Sequence, residues 1–262
     1  MKKISVAIPT YFSSKFITDT INSLKDNKIV NEIIICDDSE DKEEYSRLVN
    51  LVSSTLENSD IKLNIQKNKS KLEGFKNKYK CVSLASNDFV YQLDHDNVAN
   101  KKTLDKISNL DIKSIDKEQL FIPSKIILFK KNKYEYIFKP SYKVKYLNKS
   151  LIFDSVFIKD YIDTNNNFLL KKNVGWLLNT GNQFFYRDAY LSNLEKGLEL
   201  SKTTLSACSF GMAYFWLSSG NKICIAEFLS HYHRLHEDSA WVKEGEKVVN
   251  SVNYFKAEIL NI

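Results

Sequence analysis

Three prolines and seven glycines in 262 residues leave too little punctuation for a string of linked modules. Cysteine is scarce too. Cys36, Cys81, Cys208 and Cys224 show no C-x-x-C or other metal spacing, and several sit in apolar runs. That pattern excludes a disulfide framework and predicts buried free thiols in a reducing compartment. Long apolar runs are missing: none approaches the roughly 20 residues that cross a bilayer. The stretch Ile4–Ile8 behind Lys2 and Lys3 is too short for a secretion signal, so the expected location is cytoplasmic. Glycine is also absent where phosphate-binding folds need it. The first strand-to-helix turn reads Pro9-Thr10-Tyr11-Phe12-Ser13, with neither a G-x-G-x-x-G nor a P-loop. Any diphosphate bound there needs a cation or basic side chains to balance its charge.

What is present is a globular composition, 43% hydrophobic and 13% aromatic, enough for one large domain or a domain with a helical appendage. The net charge of +6 is modest but uneven. Between Lys125 and Lys149 eight lysines face one acid, Glu135, with six aromatics interleaved. Nucleic-acid binding, attraction to an anionic membrane surface and contact with a diphosphate-linked acceptor are three readings of that run. The alternation in KYEYIF favours a fourth, a hairpin with one lysine face and one aromatic face. The run is short for nucleic acid, which is not expected as a partner.

The first half alternates strand and helix. Ile4–Ile8, Glu32–Cys36, Ile61–Ile65 and the run from Phe89 read as strands. Between them Phe16, Ile17, Ile21 and Leu24, then Tyr45, Leu48, Val49, Val52 and Leu56, then Leu72, Phe75, Tyr79, Val82 and Ala85 recur at helical spacing. This order predicts an α/β fold with a mostly parallel central sheet flanked by helices and right-handed crossovers. In the second half Trp176–Thr180, Gln183–Tyr186 and Lys222–Phe228 read as strands and Leu205–Leu217 as an apolar helix. A terminal helix from Ser239 carries Trp241, Val248, Val249, Val252, Phe255 and Ile259, a stripe fit for the domain, a second subunit or a membrane surface.

The stretch FVYQLDHDN, Phe89 to Asn97, carries the chemistry. A strand that delivers Asp94 and Asp96 to its carboxyl end sets hard oxygen ligands at the sheet rim, where open α/β folds bind ligands. Such pairs hold Mg²⁺ or Mn²⁺. Asp37 and Asp38 close the second strand; alone they are equally a turn with a helix cap. Three histidines, His231, His233 and His236, cluster near the end. Strand alternation puts the first two on one face and His236 on the other.

ISVAIPTYF, EIIICDDS and YQLDHDN, in that order, resemble the GT-A fold glycosyltransferases of family 2, and HYHRLHEDS is similar to a late segment of many members. The likeness covers roughly residues 4–100 well and 175–240 loosely; residues 111–174 match nothing we can place. It implies a GT-A domain over 1–240, with a Rossmann-like nucleotide-sugar-binding half at 1–110, an acceptor half at 111–240, and a C-terminal helix at 241–262. It implies a metal-dependent hexosyltransferase-type enzyme that moves a sugar from a nucleotide-sugar donor, UDP-linked, to a glycan or lipid-linked acceptor in surface polysaccharide synthesis. A place at the inner face of a membrane belongs to the same expectation. Pro9, Thr10 and Tyr11 would line base and ribose, Asp38 would accept from the base, and Lys78 would stand near base and phosphates. Asp94 would contact ribose or metal-bound water; Asp96 would hold Mn²⁺ or Mg²⁺, with His236 completing that end.

One departure stands out. Family members carry an acid, the general base, at the start of a helix that matches Ser209–Gly220, and the expected positions are Gly211 and Met212. An inverting transfer needs a base within hydrogen-bond reach of the acceptor hydroxyl. Asp154, Asp188 and Glu237 are the weaker candidates. The alternative is an inactive nucleotide-sugar-binding subunit of a glycan-assembly complex. A nucleotidyltransferase would need a glycine-rich basic loop that this chain lacks.

Overall fold

The protein is described here from a computed structural model covering residues 3–111, 115–130, 133–138, 150–153, 182–201, 204–239, 243 and 245–262. Asp154, Trp176–Thr180 and most of the basic run lie outside the described residues.

Strands β1 (Ile4–Thr10), β2 (Val30–Asp37), β3 (Lys62–Lys67) and β4 (Phe89–Gln92) alternate with helices α1 (Ile17–Asn22), α2 (Lys42–Thr55) and α3 (Glu73–Ser83). Then come β5 (Val98–Ala99), α4 (Lys101–Ser108), β6 (Gln119–Lys130), β7 (Lys133–Phe138), β8 (Ser150–Phe153), β9 (Gln183–Tyr186) and α5 (Arg187–Leu194). A 3₁₀ turn (Glu195–Glu199), α6 (Cys208–Ser218), β10 (Lys222–Arg234) and α7 (Gly245–Leu260) complete the described elements. The sheet runs β3-β2-β1-β4-β9-β6-β10-β5, with β7 on β6 and β8 on β10. β1 pairs in parallel with β2 and β4, and β2 with β3, so the expected parallel half is present. β9 is antiparallel to both β4 and β6 and joins the two halves. β6 and β7 pair antiparallel, the hairpin that the KYEYIF alternation predicts.

Period-two alternation sorts β1 between two cores. Ile4, Val6 and Ile8 pack with Ile17, Ile21, Leu48, Val52 and Leu104 from α1, α2 and α4. Ala7 faces the other way, onto Phe75, Cys81 and Val82 of α3 and the α5–α6–α7 layer. The cysteines are free, as expected, and all but Cys208 are buried. The terminal stripe docks on its own domain: Val248, Val252, Phe255 and Ile259 share a core with α6, whereas Val249 points into solvent. No described helix is long and apolar enough to cross a membrane.

Candidate active site at the carboxyl edge of the parallel strands

β1, β2 and β4 are parallel, so Thr10, Asp37 and Gln92 end at one edge, and the turns beyond them build the site. Asp37 is wholly buried: one carboxylate oxygen accepts from the Thr10 and Ser39 hydroxyls, each at 2.9 Å. Burial pushes its carboxyl up from the ordinary value, partly offset by those two bonds. Ser39 also accepts the Phe12 amide at 2.8 Å, and Glu44 accepts the Ser14 amide at 2.8 Å. The loop after β1 is thereby fixed with Phe12 in the left-handed region (φ 47°) and Tyr11 42% exposed. The Lys71 ammonium lies 4.2 Å from the centre of the Tyr11 ring.

Asp38 is a helix cap. Its carboxylate accepts from Asn68 Nδ2 at 2.6 Å, the Leu72 amide at 3.0 Å and the Glu73 amide at 2.6 Å, closing the first turn of α3. From that helix Lys78, 5% exposed, pairs with Asp94 Oδ1 at 3.0 Å. Burial pulls the ammonium pKa down, but the Asp94 charge and contact with Cys208 outweigh it and leave it above the ordinary lysine value. The Asp94 amide donates to Asn182 Oδ1 at 2.9 Å, a link from the residue just before β9 that sequence reasoning missed.

Asp96 turns the other way. Its Oδ2 lies 2.8 Å from His236 Nε2. Burial pushes this carboxyl up, yet the His236 bond and the fields of His95, His233 and His236 hold it well below the usual range. His95 points back to the Pro9 carbonyl, 3.2 Å from Nδ1. Strand β10 runs on to Arg234, further than the sequence pattern reaches, so His236 sits two residues past the strand in a turn and not on its opposite face. His231 is fully buried within β10, and among the described residues neither ring nitrogen has a hydrogen-bond partner. A cleft of about 370 Å³ opens beside His236, lined by Lys15, Phe16, Arg234, Leu235, Glu237 and Asp238.

The structure corrects two sequence expectations. Asp188 follows Tyr186, which pairs with Phe89 at the start of β4. It lies at the opposite end of β4, farther from the carboxylates than the strand's own length of about 10 Å, ion-paired with Arg187. Met212 is wholly buried, its sulfur accepting from the Tyr190 hydroxyl at 3.6 Å, and Gly211 faces Phe255. The residue that α6 presents to the Lys78–Asp94 pair is Cys208, one turn earlier.

The profile of glycosyl transferase family 2 matches residues 5–173, more than half of the chain. The chain belongs to glycosyl transferase family 2. Among solved structures, S. aureus TarS 1–349 in complex with UDP-GlcNAc is 17% identical with a TM-score of 0.65, covering 99% of this chain and 67% of that one. A second structure of TarS 1–349 gives 18%, 0.62, 99% and 66%; a longer TarS chain gives 19%, 0.59, 99% and 40%. At these identities the likeness is one of fold, and this family 2 chain spans about two thirds of the shorter TarS chain and under half of the longer. No curated protein matches its sequence. The GT-A architecture expected from the motifs is the one observed.

Proposed function

We propose that this family 2 protein transfers a sugar from a UDP-linked donor to a hydroxyl of a glycan or lipid-linked acceptor, with a divalent cation held at Asp96 and His236. The observation that carries the proposal is the 2.8 Å convergence of an ionised carboxylate and an imidazole at the carboxyl edge of β4. Neighbouring ligands of an octahedral Mg²⁺ or Mn²⁺ stand about 3 Å apart, so the donor set fits. Among the described residues no third His, Cys, Asp or Glu joins them, which leaves room for diphosphate oxygens and water. Bound there, the cation would offset the charge of the departing diphosphate.

The chain's own residues divide the remaining work. Tyr11 offers an exposed ring for a base, beside Pro9 and Thr10. Asp38 keeps α3 in place, and Asp94, held by Lys78, faces the ribose side. Glu237, of the three acids nominated as base, lies on the cleft beside His236 and is our choice to accept the hydroxyl proton. The complexes of TarS 1–349 with UDP-GlcNAc and with UDP support the donor class. Surface polysaccharide synthesis at the inner face of a membrane is the setting we infer.

A second reading has its own observation. The first turn of α6 carries Cys208 and Ser209 and no carboxylate, as a donor-binding subunit without turnover would. Thermal unfolding with a panel of nucleotide sugars, with and without Mn²⁺, tests the donor site. A ligand at about 100 times its Kd adds about 2.7 kcal/mol, or roughly 5–10 °C. The shift is expected with a UDP-sugar and Mn²⁺ and not in Asp96→Ala; no shift with any donor would overturn the proposal. Sugar transfer lost in Glu237→Gln with donor binding intact would then favour enzyme over subunit.

A further inference from the structure

Arg234 has no part in the roles above, yet it is held from every side. Its amide donates to Asn97 Oδ1 at 3.2 Å, and its Nε donates to the main-chain carbonyl of Asp96 at 3.1 Å. Its Nη2 pairs with Asp19 Oδ2 at 2.7 Å. The rings of Phe16 and Phe129 lie 5.0 and 4.6 Å from the guanidinium carbon. Phe16 packs in turn on His236, ring centres 4.7 Å apart. The side chain is 11% exposed.

Two consequences follow from that geometry. Arg234 fixes the backbone of Asp96 directly and braces His236 through Phe16, so one side chain reaches both members of the pair. It also ties three separated segments together: the end of β10, α1 through Asp19, and β6 through Phe129. A lysine could supply the charge but not the planar fork, nor lie flat against two rings. We infer that Arg234 is a positioning residue that sets the spacing of Asp96 and His236 for the divalent cation. The inference rests on the metal reading above and adds a residue that touches neither cation nor sugar.

The test measures Mn²⁺ binding to the full chain with UDP present, from the electron paramagnetic resonance signal of free Mn²⁺, beside the melting temperature of each variant. Arg234→Lys is expected to weaken Mn²⁺ binding tenfold or more, the usual range for outer residues that orient metal ligands. Asp19→Asn, at a half-exposed partner, is expected to weaken it less and in the same direction, and it carries the test if Arg234→Lys does not fold. Ile259→Ala, a truncation in the separate core that α7 shares with α6, serves as a control of reduced stability and should leave Mn²⁺ affinity unchanged. Wild-type affinity in both Arg234→Lys and Asp19→Asn would overturn the inference. So would an equal loss in Ile259→Ala, because affinity would then follow stability alone. A wild-type protein that binds no Mn²⁺ with UDP present would instead sink the metal reading itself, and this inference with it.

Discussion

The Lys78–Asp94 pair allows structure and function to be separated by one double-mutant cycle. Lys78 keeps 6% of its side chain exposed and Asp94 27%, at 3.0 Å. Asp94→Asn strands a buried ammonium. Breaking a buried pair costs about 3–5 kcal/mol; here the lower end applies, because Cys208 still contacts the lysine. A loss of about 3 kcal/mol corresponds to roughly 6–12 °C in a domain of this size. Lys78→Met should cost less, about 1–2 kcal/mol, since the freed carboxylate can draw on solvent. The double variant removes both charges and should return to within about 1 kcal/mol of wild type. Urea unfolding of the four proteins gives the coupling. Donor binding should behave differently: both Asp94→Asn and the double variant lose it, despite the recovered stability of the latter. Additive losses in the double variant would refute the energetic argument. A double variant that binds UDP-sugar as wild type does would remove Asp94 from the donor site.

Three further outcomes are expected. A Cβ on Gly197 would stand 2.5 Å from Phe75 Cζ and 2.7 Å from Phe215 Cε2, so Gly197→Ala should destabilise by about 1–3 kcal/mol in urea unfolding. Burial, with the field of His233 adding to it, pushes His231 well below the ordinary histidine value. Below pH 6.5 the unfolded chain takes a proton that the folded one refuses, so stability should fall with pH at up to about 1.4 kcal/mol per unit. His231→Gln should flatten the slope between pH 6.5 and 5 by that amount; an unchanged slope would clear His231. Asp38→Ala removes the acceptor for two amides at the start of α3 and should cost about 2 kcal/mol while weakening UDP binding, read by calorimetry on the same samples.

The parallel half of the sheet was legible because its signals are local. Alternation along β1 names both core faces, and three motifs mark the ends of three strands in sequence order. Where reading failed, the missing information was phase or direction. In α6, Ser209 to Ala213 and Phe215 to Leu217 are all buried, so no stripe tells which side faces the site; the residue that meets Lys78 is Cys208, one turn before Met212. Asp188 was misplaced because nothing in QFFYR states that β9 runs antiparallel to β4. Arg234 stood in plain view inside HYHRLHEDS, but its partners, Asp19, Phe16 and Phe129, are far away in the chain. Cys208 carried no signal at all, being a single thiol without spacing.

The Asp-x-Asp spacing is the place where pattern and structure part most usefully. Two residues apart on a strand, both carboxylates would share a face. Strand β4 stops at Gln92, however, and the turn after it sends them apart. Asp94 goes to Lys78, and Lys78 is positioned by α3, whose first turn is closed by Asp38 at the end of β2. Asp96 goes to His236, which Phe16 and Arg234 brace from α1 and β10. The cap expected after β2 falls on Asp41, which caps α2, whereas Asp38 accepts from the first amides of α3, the helix that carries Lys78. Each carboxylate is supported by a different core, Asp94 from the α3–α6 side and Asp96 from the α1 side. A substitution in one layer should accordingly disturb one carboxylate and spare the other, which two unrelated acids on a flat strand could not do.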